Sequence, residues 1–338
     1  MTDLLRHIAN KGFILADGAI GTNLFAKGLE TGDAPELWNV DEPEKVLELH
    51  REFVEAGADI LLTNSFGANE YRLKLHNAQD RVDLLNQEAV RLAKLAASEA
   101  DKPVFVAGSL GPTGELFMPL GALSYDDAFA AFQAQANAMK AAGAECLWIE
   151  TMSSAEEMEA AVKAAQTTAL PVFATMTFDT AGRTMMGILP SAYAEQASAL
   201  SLDAFGANCG IGPAELLDTV QGFASVKTDS FVIAKGNCGI PEYVEGAIHY
   251  HGTPELMAEY AICARAAGAQ IIGGCCGTTP AHLKAMRDAL DTTPLEPILT
   301  AQDIESRLGK AWANLPQSDE APSQKPARGR RRSRKNEE

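Results

Sequence analysis

PVFVAGSLG at residues 103–111, YDDAFAAFQAQANAMKAAGA at 125–144 and CLWIETM at 146–152 form a short apolar run, a helix-like segment and a second apolar run. The apolar runs lack clean alternation, the pattern of a strand buried on both faces of a parallel sheet. The segment between them closes on AGA, where Gly143 suits a helix C-terminus. One such unit predicts little; its recurrence predicts a fold. FILADG (13–18), DILLTNSF (59–66), PVFATMTFD (171–179), AFGANCG (204–210), FVIAKGNCG (231–239) and IIGGCCG (271–277) bring the runs to eight.

Helical signals lie between them. EPEKVLELHREFVEAGA (42–58) and TPELMAEYAICARAAGA (253–269) end in the same AGA, and TPEL and TTPAHLKAMRDAL (278–290) pair an N-cap Thr with a first-turn Pro. Eight strand–helix units within about 290 residues predict an α/β chain folded as a (β/α)8 TIM barrel. A doubly wound sheet would carry a Gly-rich nucleotide loop after its first strand, and DGAIGTNL, with Gly18 and Gly21, is a weak imitation of one.

Composition bounds the class. The chain has 338 residues, 46% hydrophobic and 22% charged, enough for a large core, and it shows neither a membrane-length apolar run nor a secretory signal. A cytoplasmic enzyme acting on small molecules, assembled as a homo-oligomer and with no membrane partner, is the expectation. Six cysteines are too few for a disulfide scaffold at this length, so free thiols or metal ligands are expected. The net charge is −17; KPARGRRRSRKNEE (325–338) carries +5, and subtracting that leaves −22 for residues 1–324. So acidic a body disfavours nucleic acid as the main partner, except through the tail. The predicted organisation is one barrel domain over 1–313 and a disordered tail over 314–338, basic from 325.

Barrel enzymes build their sites at the C-terminal ends of the strands. The polar residues predicted there are Asp17, Thr63, Asn64, Ser109, Glu150, Thr177, Asn208, Cys209, Lys235 to Cys238, Cys275 and Cys276. Cys146 and Cys263 fall at a strand start and inside a helix and read as core thiols. Adjacent side chains on a strand point to opposite faces, so Cys275 and Cys276 share one ion only if the backbone breaks from strand geometry. Gly273, Gly274 and Gly277 are expected to supply that freedom. With Cys209 they make three thiolates, a soft set that favours zinc and leaves one tetrahedral position open. A vicinal disulfide, or cysteines simply packed at a strand end, are the alternatives. Three thiolates leave too little positive charge for strong acidification of water but suit capture of a substrate thiol, so alkyl transfer to sulfur is the inferred chemistry. The other metal-like motif, His249-Tyr250-His251, is expected in a loop after the seventh strand, without a metal.

DGAIGT (17–22), LLTNSFGAN (61–69), SLGPTGE (109–115), GANCG (206–210) and GGCCGTTP (273–280) resemble, in this order, the homocysteine S-methyltransferase family. The resemblance spans about residues 12–290. It implies a zinc-dependent barrel with Cys209, Cys275 and Cys276 as ligands and homocysteine bound at Asp17, Gly18 and Glu150, the last holding the amino group. It implies a methyl donor among betaine, S-methylmethionine, S-adenosylmethionine and, in multidomain cobalamin-dependent members, methyltetrahydrofolate. One barrel has no room for folate or cobalamin modules, and the chain is similar to the short bacterial betaine-dependent members, so betaine, giving dimethylglycine, is the expected donor. A corrinoid partner protein is the second expectation, and a non-catalytic zinc protein whose tail recruits nucleic acid a reading of another class. One departure stands against betaine: the animal betaine enzymes carry a tyrosine, an alternate zinc ligand, where this chain has Gly67. Trp38, Phe66 and Tyr71 are candidates for the cation face of the donor pocket, and Arg72 or Arg183 for its carboxylate. Cys238 is expected close to the zinc without ligating it.

Overall fold

The structure is a computed structural model and describes residues 1–244 and 247–313, apart from the side chains of 243–248. The tail expected over 314–338 lies outside the described residues. Ten strands form in chain order: β1 (Ile14–Leu15), β2 (Ile60–Leu62), β3 (Phe105–Leu110), β4 (Cys146–Met152), β5 (Val172–Met176), β6 (Ala204–Cys209), β7 (Phe231–Gly236), β8 (Pro241–Val244), β9 (Ala247–Tyr250) and β10 (Ile271–Gly274).

Eight of them make one sheet in the order β1-β10-β7-β6-β5-β4-β3-β2. Every pairing in it is parallel. Its two edges meet at the parallel bridge Ala16–Ile60. Two bonds back that bridge: the Asp59 N–H donates to the Leu15 carbonyl at 2.7 Å and the Asp17 N–H to the Ile60 carbonyl at 3.1 Å. The sheet is thus a nearly closed (β/α)8 barrel of the expected kind. The remaining strands, β8 and β9, form an antiparallel hairpin after β7. His249-Tyr250-His251 therefore ends a strand rather than sitting in a loop.

Helices cover the outside because each strand is followed by an amphipathic or Ala-rich segment with a usable start. Ser124 caps Tyr125–Ala141, Ser154 caps Ala155–Gln166 and Thr253 caps Pro254–Ala266, each side chain accepting a first-turn N–H. The barrel interior is a separate apolar cluster in which Ile14, Ile60, Phe105, Trp148, Phe173 and Ile233 meet. Leu4 and Ile8 of the first helix, Asp3–Lys11, join it and plug the N-terminal end. Trp148 and Phe173 pack edge to face at 5.7 Å, and each large side chain so buried contributes about 1.5–3 kcal/mol. At that same end Asp59, 1% exposed, pairs with Lys11 at 2.8 Å, Lys102 at 2.9 Å and Arg287 at 3.1 Å.

The inward rows change character along the strands. Two residues beyond the apolar Ala107, Trp148 and Ile233 the rows continue as Ser109, Glu150 and Lys235, all buried. The period of two that builds the core therefore also delivers polar groups to the C-terminal mouth.

Candidate active site

The thiols converge. Cys209, Cys275 and Cys276 place their sulfurs within 4.8 Å of one another, and Cys209 Sγ stands 3.8 Å from Cys276 Sγ. Thiolates bound at about 2.3 Å to a tetrahedral zinc lie about 3.8 Å apart, so the donor set fits that ion. Local backbone explains how neighbours in sequence share one point. Cys209 follows the inward Asn208 and would face outward on a regular strand, but its φ of 61° turns the sulfur back to the mouth. β10 stops at Gly274, so Cys275 and Cys276 lie in the turn beyond it.

The glycines act differently from the expectation. Only Gly277 has a positive φ, 79°. Gly273 and Gly274 serve close approach, since a Cβ would stand 2.9 Å from Ala16 Cβ at the first and 2.2 Å from Thr278 Cγ2 at the second. The thiols titrate as a set. Cys276 is held well below the usual thiol range because Cys209 and Cys275 donate to its sulfur, and Cys209 is pushed well above it.

A charged group adjoins the triad. Asp17 is fully buried; its Oδ2 accepts from the Leu62 N–H at 2.8 Å, and its Oδ1 has no hydrogen-bond partner. Burial pushes its carboxyl up to about 7, with Lys235 pulling the other way. Lys235 Nζ lies 3.7 Å from Asp17 Oδ1 and donates to the Gly274 carbonyl at 2.6 Å and the Gly18 carbonyl at 3.3 Å. Burial works against that ammonium, but Asp17, Cys275 and Glu150 around it hold its pKa above the ordinary lysine value. Glu150 accepts from the Ser109 hydroxyl at 2.5 Å, and burial raises its carboxyl, with Lys235 opposing and Cys275 adding to the rise.

A break in the β4–β5 register between Ile149 and Met152 aims Glu150. Thr151 there has a φ of 64°. Asn208 holds that strained residue: its Oδ1 accepts from the Thr151 N–H at 2.8 Å and its Nδ2 donates to the Thr151 hydroxyl at 2.7 Å. The same Nδ2 points at Cys275 Sγ from 3.8 Å. Asn208 thus couples the carboxylate strand to the thiol turn.

One cavity of about 410 Å³ unites these groups, a size suited to small molecules. Asp17, with no side chain on its wall, is buried directly behind Gly18; Gly18, Glu150, Lys235, the three thiols, Phe66 and Arg72 line it. Trp38 and Tyr71 do not line it, which corrects the expectation for both. The short turn Pro35–Leu37 presents Glu36 to the cavity and hands Trp38 to the next helix, where its ring packs on the core under the Lys45 ammonium at 4.4 Å. Arg72 of the helix Glu70–Lys74 and His76 of the turn after it line the cavity, whereas Tyr71 is rotated onto the core. Arg183 is exposed and outside the cavity lining.

Cys238 is buried but donates to the Gly252 carbonyl at 3.2 Å, outside the triad. His251 faces Glu242 at 3.1 Å on the exposed side of the hairpin. Tyr250 between the histidines packs on Gly277, whose added Cβ would stand 2.4 Å from its ring. Lys235, expected at a strand end, is the lone charge in FVIAKG, a signal that gave its place but not its contact with Asp17. Glu36, Phe25 and His76 carry no comparable signal, because distant turns bring them to the mouth.

Comparison with known proteins is consistent with this geometry. Residues 14–290 match the family model described as homocysteine S-methyltransferase. Methionine synthase of Mycobacterium tuberculosis (strain ATCC 25618 / H37Rv) is 33% identical over 306 residues, 86% of this chain and 25% of that protein. Methionine synthase of Mycobacterium leprae (strain TN) is 32% identical over the same length and shares. The chain thus spans about a quarter of the length of these curated relatives. Among solved structures, the metallated form of the homocysteine methyltransferase MmuM from Escherichia coli superposes with a TM-score of 0.70 at 26% identity, covering 84% of this chain and 99% of that one. Its oxidized form gives the same TM-score and identity over 85% and 99%.

Proposed function

The chain belongs to the homocysteine S-methyltransferase family, and from that premise we propose that it transfers a methyl group to the thiol of L-homocysteine, giving methionine, with zinc at Cys209, Cys275 and Cys276 and betaine as the donor. The observation that carries the reading is the convergence of three thiols within 4.8 Å at the cavity floor. Zinc held there would keep a substrate thiol ionised at neutral pH.

The chain's own residues supply position. Glu150 on the cavity wall offers its carboxylate to the homocysteine ammonium, and Asp17, buried behind Gly18 with no hydrogen bond at Oδ1, adds negative charge close to it. Lys235 offsets part of the negative charge of thiolates and carboxylates that would otherwise crowd one cavity. In the reaction the homocysteine sulfur forms a bond to the donor methyl carbon, and the carbon–nitrogen bond breaks with its electron pair returning to nitrogen. Dimethylglycine leaves as an amine, and the proton released from the thiol reaches that amine through solvent. No general acid is required, so rate derives from thiol ionisation, alignment and exclusion of water. We take residues 1–313 as the unit that does this. Among the described residues no helix is long and apolar enough to cross a membrane.

The test is methionine formation by reduced, zinc-loaded protein with homocysteine and each donor separately, beside Cys276→Ala. Turnover with betaine that disappears in the variant is the expected result. Methyl transfer solely from a methylcorrinoid protein, the partner suggested by the methionine synthase likeness, would overturn the donor and leave the homocysteine site. Equal turnover by Cys276→Ala would overturn the zinc site.

A further inference from the structure

Gly67 lacks a side chain because another group occupies its space. A Cβ there would stand 2.9 Å from Glu36 Oε1 and 3.5 Å from Oε2. Glu36 is 5% exposed, and its Oε1 accepts the Gly67 N–H at 2.6 Å. No lysine, arginine or histidine comes within 4 Å of this carboxylate among the described residues. Burial raises its pKa, and the backbone N–H groups of Glu36 and Gly67, followed by Arg72 and His76 on the same cavity wall, only partly oppose the rise. A buried carboxylate without a cation is costly to the free protein and gains from a cationic ligand.

Aromatic surface lies on the same wall. The Phe66 ring is seated on Gly111, whose added Cβ would meet three ring carbons at 2.5–2.7 Å. Phe25, 44% exposed, stands at the rim. Glu36, Phe66, Phe25, Arg72 and His76 share the cavity whose floor is the thiol triad. A ligand on this wall therefore shares a chamber with the thiol it would alkylate.

We infer that this wall is the methyl-donor subsite and that it selects a small zwitterionic onium: Glu36 against the positive nitrogen or sulfur, Phe66 and Phe25 against its methyl groups, and Arg72 with His76 against its carboxylate. The inference rests on the methyl-transfer reading and adds the recognition chemistry. It gives Gly67 a reason, since the carboxylate of Glu36 stands where a side chain at 67 would begin. Cation–aromatic contact and an ion pair would act on the same charge. That charge vanishes when the methyl leaves, so Glu36 favours substrate over the freshly formed neutral amine.

The test is calorimetric titration of the zinc-loaded protein with betaine, with S-methylmethionine and with 3,3-dimethylbutyrate, the neutral carbon isostere of betaine. Homocysteine binding is titrated in the same preparation. Glu36→Gln keeps an oxygen for the Gly67 N–H and removes only charge. It is expected to weaken the onium at least tenfold, while the isostere changes less than twofold and homocysteine not at all. Arg72→Gln provides an independent variant on an exposed helix. It should weaken betaine and the isostere together, since both carry the carboxylate.

Betaine and S-methylmethionine distinguish the two sources of onium chemistry, and tight binding of either sustains the inference. Parallel changes of betaine and isostere in Glu36→Gln, an unaffected isostere in Arg72→Gln, or binding of neither onium would overturn it. Because onium binding is read directly, failure of homocysteine to bind would refute the methyl-transfer reading separately.

Discussion

Replacement of Glu150 by Gln separates what this carboxylate does for the substrate from what it does to the fold. The side chain is 9% exposed and bonded to the Ser109 hydroxyl at 2.5 Å. Gln retains an acceptor for that hydroxyl and nearly the same volume, so the change is mainly one of charge. A hydrogen bond between a charged carboxylate and an ammonium contributes about 1.5–3 kcal/mol, so homocysteine affinity should fall roughly 10- to 150-fold. Substrate-free stability should move the other way. Burial raises the Glu150 carboxyl above its ordinary value; an acid so raised is held in its charged form at neutral pH at a cost, and the neutral amide avoids that cost. The assay is homocysteine calorimetry on zinc-loaded protein, with thermal unfolding measured without substrate and zinc content determined for both proteins. Loss of affinity, a higher midpoint and unchanged zinc is the expected triple. An affinity within twofold of wild type at full zinc content would refute the assignment of the ammonium to Glu150. Lost zinc would show that its role is to shape the thiol turn.

Three further outcomes follow from named contacts. Alanine at Cys209, Cys275 or Cys276 should abolish zinc retention against a competing chelator, whereas Cys238→Ser, altering a thiol bonded to the Gly252 carbonyl, should retain it. Asp59→Asn leaves Lys11, Lys102 and Arg287 facing one neutral amide; with the two lysines 32% and 39% exposed, the loss in urea unfolding should be about 2–4 kcal/mol. Asp59 has a lowered pKa because its hydrogen bonds to Lys11, Leu15 and Lys102 outweigh burial, so its contribution should be present above the ordinary 3.8 and fade as pH falls below it. His50 is fully buried with both ring nitrogens unpaired, and burial pulls it down from 6.5 to about 4. The unfolded chain therefore takes up that proton first, and stability should drop by about 2 kcal/mol between about pH 7.5 and about pH 5. Asp17, raised to about 7, works with the opposite sign, so the check is the difference between wild type and His50→Leu, which should remove only the histidine contribution.

The barrel was legible because its determinants are local and repeated. Each of the eight apolar runs contains a strand, although FILADG yields only Ile14–Leu15 and leaves Asp17 beyond it. The thiol triad was legible for a related reason: Asn208-Cys209 ends β6 and Cys275-Cys276 directly follows β10, and only β7 lies between these strands in the sheet. The wall carrying Glu36 was legible only at Phe66 and Arg72. Trp38 and Tyr71 are aromatics that the sequence also offers, but helix rotation places them on the core while Glu36, with no signal of its own, takes the cavity. The tyrosine of His249-Tyr250-His251 was obscured by its histidines, yet burial and the neighbouring Cys276 keep its phenol protonated against the thiol turn. Contacts set by turns more than thirty residues apart leave no periodicity to read.

The two ends of the barrel hold their buried aspartates differently, and the difference bears on ligand binding. At the N-terminal end Asp59 has a backbone N–H and three cations around it. Near the C-terminal mouth Asp17 Oδ1 has Lys235 at 3.7 Å but no hydrogen bond, Asn237 Oδ1 and Thr278 Oγ1 are also buried without one, and Thr151 and Cys209 hold positive φ. Each such group costs about 1–3 kcal/mol, more for the charged one, unless a ligand meets it. Asp17 adjoins the cavity through Gly18, and a ligand cation would offset its burial, so substrate should raise the unfolding midpoint of the zinc-loaded protein. That gain should shrink in Asp17→Asn, and an equal gain in variant and wild type would mean that the unpaired oxygen of Asp17 takes no part in binding.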